Sequence, residues 1–124
     1  MSGYGRASLT AVKACQRNPA RSPADAWEAA VEKEFASPAS RDKPCPRGAF
    51  LGLCAEGLVS GIPAKSYTDS IQNRRYARNA VKLLREDPEL AKNLTQLWCR
   101  VSQKGHNHQM DVVVALWRAG FILP

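Results

Sequence analysis

A chain of 124 residues, 44% hydrophobic and 23% charged, has the makeup of a globular domain long enough to bury its own core. No apolar run reaches the ~20 residues of a membrane-spanning helix, and the opening Met1-Ser2-Gly3-Tyr4-Gly5-Arg6 lacks the apolar stretch of a secretory signal. The formal charge of +7 admits an acidic partner such as nucleic acid without requiring one.

Four cysteines without close pairing, in a chain with no export signal, read as reduced thiols of a cytoplasmic protein. A single domain spanning 1–124 is expected, with residues 1–3 as a flexible lead-in. Residues 4–17 carry Leu9, Val12 and Cys15 among alanines, and Asn18-Pro19 ends this first helix, because proline pushes the preceding residue out of helical geometry. Ser22-Pro23-Ala24-Asp25 then opens a second helix: serine caps, proline takes the first helical position, and the acid faces free amides. Its Trp27, Ala30, Val31 and Phe35 form an inward stripe. Ser37 to Pro44 reads as a loop.

The stretch from Cys45 to Pro63 stands apart. At ~100° per residue, Phe50, Leu53, Cys54 and Gly57 share one side, Leu51 and Leu58 lie beside them, and Gly48, Gly52 and Ala55 leave a nearly bare strip on the other. Arg47 and Glu56 are its only charges. A helix so apolar around its circumference is covered on most sides, so residues 46–57 are expected as a buried central helix, closed by Gly57 or Gly61. Ser66-Tyr67-Thr68-Asp69 resembles a further cap, followed by a long helix from about Tyr67 to Glu86. Asp87-Pro88-Glu89 opens another, with Leu90, Leu94, Leu97, Trp98 and Val101 on one face. After the polar stretch Gln103 to Asn107, a last helix from about His108 to Ala119 turns Met110, Val113, Val114 and Trp117 inward. Gly120 ends it, and Phe121-Ile122-Leu123 folds back on the core. No segment alternates with period two for more than a few residues. The fold class is all-α, a compact bundle of about six helices. Leu53–Val59 and Leu116–Ile122 share a pattern, which common capping chemistry explains better than duplication.

Three places admit chemistry. On the long helix, Arg74, Arg75, Arg78, Lys82 and Arg85 fall within about 100° of arc, opposite Tyr76, Ala77, Ala80, Leu83 and Leu84, a spacing that suits a phosphate track flanked by Gln72, Asn73 and Asn79. The plain alternative is a solvated face. Cys45 sits at a helix start beside Arg47, where the dipole and a nearby cation favour thiolate. With His106 or His108 as base and Asp111 or Asn107 as orienting group it would form a thiol hydrolase constellation, although such enzymes place the histidine on a strand and none is expected here. The third is the bare strip. It either admits a neighbouring helix closely or floors a small ligand cleft rimmed by Arg47, Gly48, Gly52 and Glu56. A zinc site using both Cys45 and Cys54 is excluded, because nine residues of helix separate them by ~13 Å. Cys99 with His106 or His108 matches no zinc signature. No metal or cofactor is expected.

Ala26-Trp27-Glu28-Ala29-Ala30, the run Cys45-Pro46-Arg47-Gly48-Ala49-Phe50-Leu51-Gly52-Leu53-Cys54, Gly61-Ile62-Pro63 with Tyr67-Thr68, and Gln109-Met110-Asp111-Val112-Val113 before Ala115-Leu116-Trp117 together resemble a small family of uncharacterised bacterial proteins. The likeness spans about residues 4–122. It implies a stand-alone bacterial cytoplasmic domain in which the central helix and the Gln109–Asp111 segment belong together, and it supplies no activity or ligand. The basic stripe is not the part that carries it. The expected function is a non-enzymatic binding or interaction module, with nucleic acid or an acidic protein as partner and no membrane contact. The alternative is a thiol-dependent enzyme or small-ligand binder centred on Cys45 with His106 and His108.

Overall fold

Several helices start where a side chain replaces missing backbone partners, and a computed structural model of the chain describes all of residues 1–124. Helix α1 (Gly3–Arg17) begins at Ser2, whose Oγ accepts from the Gly5 amide, and closes at Asn18 ahead of Pro19. Helix α2 (Pro23–Glu34) has the Ser22 cap on the Asp25 amide. The expected loop before the central helix contains a single helical turn, α3 (Pro38–Arg41), because Ser37-Pro38 repeats the Ser22-Pro23 signal and Ser37 caps Ser40. Helix α4 (Pro44–Ala55) is the expected central helix, shifted two residues toward the N-terminus at each end.

Helix α5 (Ile71–Glu86) starts four residues later than Tyr67. Thr68 Oγ1 accepts from the Ser70 amide and the Asp69 carbonyl from Ile71, so these polar groups build a turn instead of a cap. The helix expected from Pro88 is split. A 3-10 turn (Pro88–Lys92) comes first, and Asn93, whose Oδ1 accepts from Gln96, then opens α6 (Leu94–Val101). Helix α7 (Gln109–Arg118) completes the bundle of six helices of two turns or more. None is long and apolar enough to cross a membrane.

Two helices share the centre. Every residue of α4 from Gly48 to Ala55 is buried, and so is every residue of α7 from Gln109 to Leu116 except Asp111. Helix α4 packs on α2, α5 and α7, while α7 reaches α1, α4, α5 and α6. The resemblance between their ends has a structural meaning. Leu58 N donates to Leu53 O and Gly57 N to Cys54 O; Phe121 N donates to Leu116 O and Gly120 N to Trp117 O. These are two Schellman caps, with Gly57 (φ +71°) and Gly120 (φ +78°) in the left-handed conformation the motif needs. The chains leaving them pair with each other: Val59 and Ile122 form an antiparallel bridge, with Ser60 N on Phe121 O and Leu123 N on Leu58 O, both 2.8 Å. The shared pattern thus reflects shared capping, and the two caps are fastened together.

The bare strip of α4 is filled by α5. A Cβ at Gly52 would lie 2.5 Å from Arg74 Cα, and one at Gly48 would lie 2.9 Å from Asn73 Cβ. Of the two readings of the strip, a close neighbouring helix or a small cleft, the structure has the first: α5 occupies the space the missing side chains leave.

Replacing Gly52 with Ala isolates that contact. The added methyl would gain roughly 1 kcal/mol of helix propensity, but it meets α5 backbone, and such overpacking costs ~1–3 kcal/mol. We expect a net loss of about 1 kcal/mol or more in urea denaturation. Gly105→Ala, whose Cβ meets nothing within 4 Å, should stay within ~0.5 kcal/mol of wild type.

Candidate functional site

Burial of one face of α5 dictates what the other displays. Ala77, Ala80, Val81 and Leu84 are buried, so Arg75, Arg78, Lys82 and Arg85 are carried outward, with Arg74 half-buried at the edge against α4. The five cations differ in their surroundings. Glu56, at the C-cap of α4, accepts from Arg74 Nη2 (2.8 Å) and Arg78 Nη1 (3.1 Å). A carboxylate there opposes the helix dipole, and the two guanidiniums offset that. The Arg74 hydrogen bond, against the opposing effect of burial and with Arg78 adding to it, holds Glu56 below the ordinary carboxylate range. Arg85 Nη2 donates to the Leu123 carbonyl (2.7 Å), anchoring the C-terminal segment while keeping its charge. Arg75 and Lys82 have no ion pair and no side-chain hydrogen bond.

Helix α6 meets α5 through contacts that the periodicity of neither segment reports. Trp98 packs edge-on against Tyr76 of α5 (5.0 Å between ring centres), and Lys104 Nζ donates to Gln72 Oε1 (3.2 Å). The groove between the two helices, about 440 Å³, is lined by Tyr76, Cys99, Arg100 and Lys104 among others. Arg100 and Lys104 therefore add positive charge on the Tyr76 flank of α5, beside the arginine face. Only the register of the Tyr76–Trp98 contact places them there, and that is not written in either segment alone.

No hydrogen bond joins the members of the expected thiol constellation to Cys45. Cys45 stands in the first turn of α4, half-buried, and its Sγ has no hydrogen bond to His106, His108 or Asp111. Arg47, expected at the rim of a cleft, instead reaches Glu28 of α2 at 3.6 Å. The histidines serve α7. His106 Nε2 accepts from the Met110 amide (3.0 Å), so it supplies a partner for an orphan donor at the helix start in the Nδ1–H tautomer. Burial, the largest effect, lowers the His106 pKa; the Asp111 charge opposes this and His108 adds to it. His108 takes a left-handed backbone (φ +66°), which costs a non-glycine residue ~1 kcal/mol, and is held by Asp111 Oδ2 on its Nδ1 (2.7 Å) and by the Tyr4 ring 4.7 Å away. No cysteine, serine or lysine side chain is hydrogen-bonded to either imidazole. Cys54 is fully buried in the core, and burial pushes its thiol far up; Cys99 is exposed. No group of three or more His, Cys, Asp or Glu side chains is placed to hold a metal ion.

A polar network links the central helix to the Gln109–Asp111 segment. Asn73, whose Cβ packs over Gly48, donates to Ser70 Oγ (2.9 Å) and accepts from Gln109 Nε2 (3.2 Å). Buried Gln109 also accepts from the Asn107 amide (2.8 Å), and Asn107 Oδ1 accepts from Lys43 Nζ (3.2 Å). The starts of α4, α5 and α7 are thereby tied at one end of the bundle.

Fold and surface together define an all-helical domain with a basic face on α5. The chain belongs to a family of unknown function, DUF6979, whose model matches residues 1–123. No curated protein and no solved structure matches it.

The cap role of His106 has a signed pH dependence. Because its folded pKa is lowered, the stability it contributes is complete above the ordinary histidine value of about 6.5 and is lost as pH falls through the lowered value. His106→Ala should cost ~1 kcal/mol at pH 7.5, as for other lost caps. The gap to wild type in urea denaturation should narrow between pH 7 and pH 5.

Proposed function

We propose that this protein is a non-enzymatic binding module that engages nucleic acid along the outer face of α5. The observation that carries the reading is that Arg75 and Lys82 are exposed on that face without any anionic partner, flanked by Arg74, Arg78 and Arg85. A solvated helix face is more often balanced by nearby acids. Here the acids are Glu56, already shared by Arg74 and Arg78, and Glu86 and Asp87 at the helix end. Arg100 and Lys104 widen the surface across the Tyr76 groove. Cations at helical spacing neutralise backbone phosphates without reading bases, so the expected recognition is of a phosphate backbone, with an acidic protein as the weaker competitor. The same reading places the protein in the bacterial cytoplasm, which its four free thiols suit.

Fluorescence anisotropy against a labelled oligonucleotide tests this. A footprint of three to four phosphates gives a log Kd versus log salt slope of about 3. The double change Arg75→Glu with Lys82→Glu should weaken binding roughly a hundredfold at low salt. Lys13→Glu with Arg17→Glu, an equal change in net charge on α1, should weaken it much less. Equal losses in both pairs, or wild-type binding that ignores salt, would sink the proposal.

A further inference from the structure

A second feature, independent of the basic face, lies where the α1–α2 turn meets the segment Gly61–Tyr67. A cavity of about 150 Å³ opens there, walled by Cys15, Arg21, Ser22, Ile62, Lys65 and Tyr67. It is far larger than the ~10–15 Å³ that one water needs and smaller than the ~300–1,000 Å³ of pockets for drug-sized ligands. Its charged walls are of one sign. No carboxylate lines the cavity.

Arg21 and Lys65 come from different segments, and neither side chain makes an ion pair or hydrogen bond within the protein. Ser22 Oγ accepts from the Asp25 amide, which leaves its proton free to donate. Cys15, buried at the wall, gives its S–H to the Arg21 carbonyl at 3.8 Å. Burial raises this thiol, against the opposing Arg21 charge, so a neutral group and not a repelling thiolate stands there.

The backbone of both walls is held in place. Asn18 Oδ1 accepts from the Ala20 amide and Asn18 O from the Arg21 amide, fixing the turn that carries Arg21. Across the cavity, Tyr67 OH donates to Pro63 O (2.6 Å), and Gln16 Nε2 donates to Ser60 O (3.0 Å), binding this segment to α1. Two cations on fixed backbone segments, neither engaged within the protein, favour an anion, because no internal ion pair has to be broken to bind it. Guanidinium, ammonium and hydroxyl donors from two segments of the chain together offer several charge-assisted hydrogen bonds to the oxygens of a phosphate group.

We propose that this cavity is a binding site for a phosphate group, either inorganic phosphate or the terminal phosphate of a small phosphomonoester. The test is an NMR titration with inorganic phosphate at constant ionic strength. Saturable amide shifts are expected in residues 20–24 and 61–67. Arg21→Ala and Lys65→Ala should each weaken binding roughly tenfold, and Lys65→Glu should abolish it; all three remove side chains with no internal partner, so folding is preserved. A nucleoside 5′-monophosphate that shifts the same amides with similar affinity would assign the site to phosphomonoesters, and a response to inorganic phosphate alone would assign it to the free ion. Either result upholds the proposal. Shifts that do not saturate, shifts centred on Arg75 and Lys82, or unchanged affinity in both alanine variants would overturn it. Loss of oligonucleotide binding by the α5 face would leave these outcomes unaffected.

Discussion

The close approach of α5 to α4 is the contact on which the rest of the molecule depends. It exists because Gly48 and Gly52 carry no side chain where Asn73 and Arg74 arrive, one of them at backbone level. Once α5 is seated, Ala77, Ala80, Val81 and Leu84 are committed to the core, and the 3.6-residue period leaves only one direction for Arg75, Arg78 and Lys82. The same seating brings Arg74 and Arg78 to Glu56 and Asn73 to Gln109. A pair of glycines thus decides both how the core closes and which charges face solvent.

The other end of the two central helices is fixed by capping. Glycine-terminated helices leave free carbonyls that the Schellman geometry satisfies, and in this chain the two emerging strands of backbone satisfy each other through the Val59–Ile122 bridge. Arg85 adds a hydrogen bond to Leu123 from α5. The C-terminal segment is therefore part of the support beneath the basic helix, and α4, α5 and α7 are joined at both ends of the bundle.

Much of this was legible in the residues. Ser22-Pro23, Gly57 and Gly120 encode helix boundaries through local chemistry, and the apolar circumference of residues 46–57 announces a buried helix. Local signals misled where two readings share one composition. Thr68 and Asp69 can cap or turn, and they turn; Ser37-Pro38 can open a helix inside what otherwise reads as loop, and does. The bare strip on α4 admitted a cleft or a neighbour, and only the position of α5 decides between them. The proximity of Cys45 to the histidines was likewise a question of tertiary placement: the imidazoles are used by α7, His106 as a cap and His108 in a left-handed turn braced by Asp111. The groove joining Arg100 and Lys104 to α5 depends on a Tyr76–Trp98 contact between residues 22 positions apart, which no periodicity reports.

The proposed nucleic-acid surface is the outer face of α5, with Arg100 and Lys104 beside it. Amide shift mapping during titration with a short oligonucleotide tests this most directly. The account predicts perturbations concentrated between residues 71 and 86 and between 99 and 104, with the acid-rich α2 silent. Perturbations centred on α2 or spread evenly over the surface, or none at all, would contradict it.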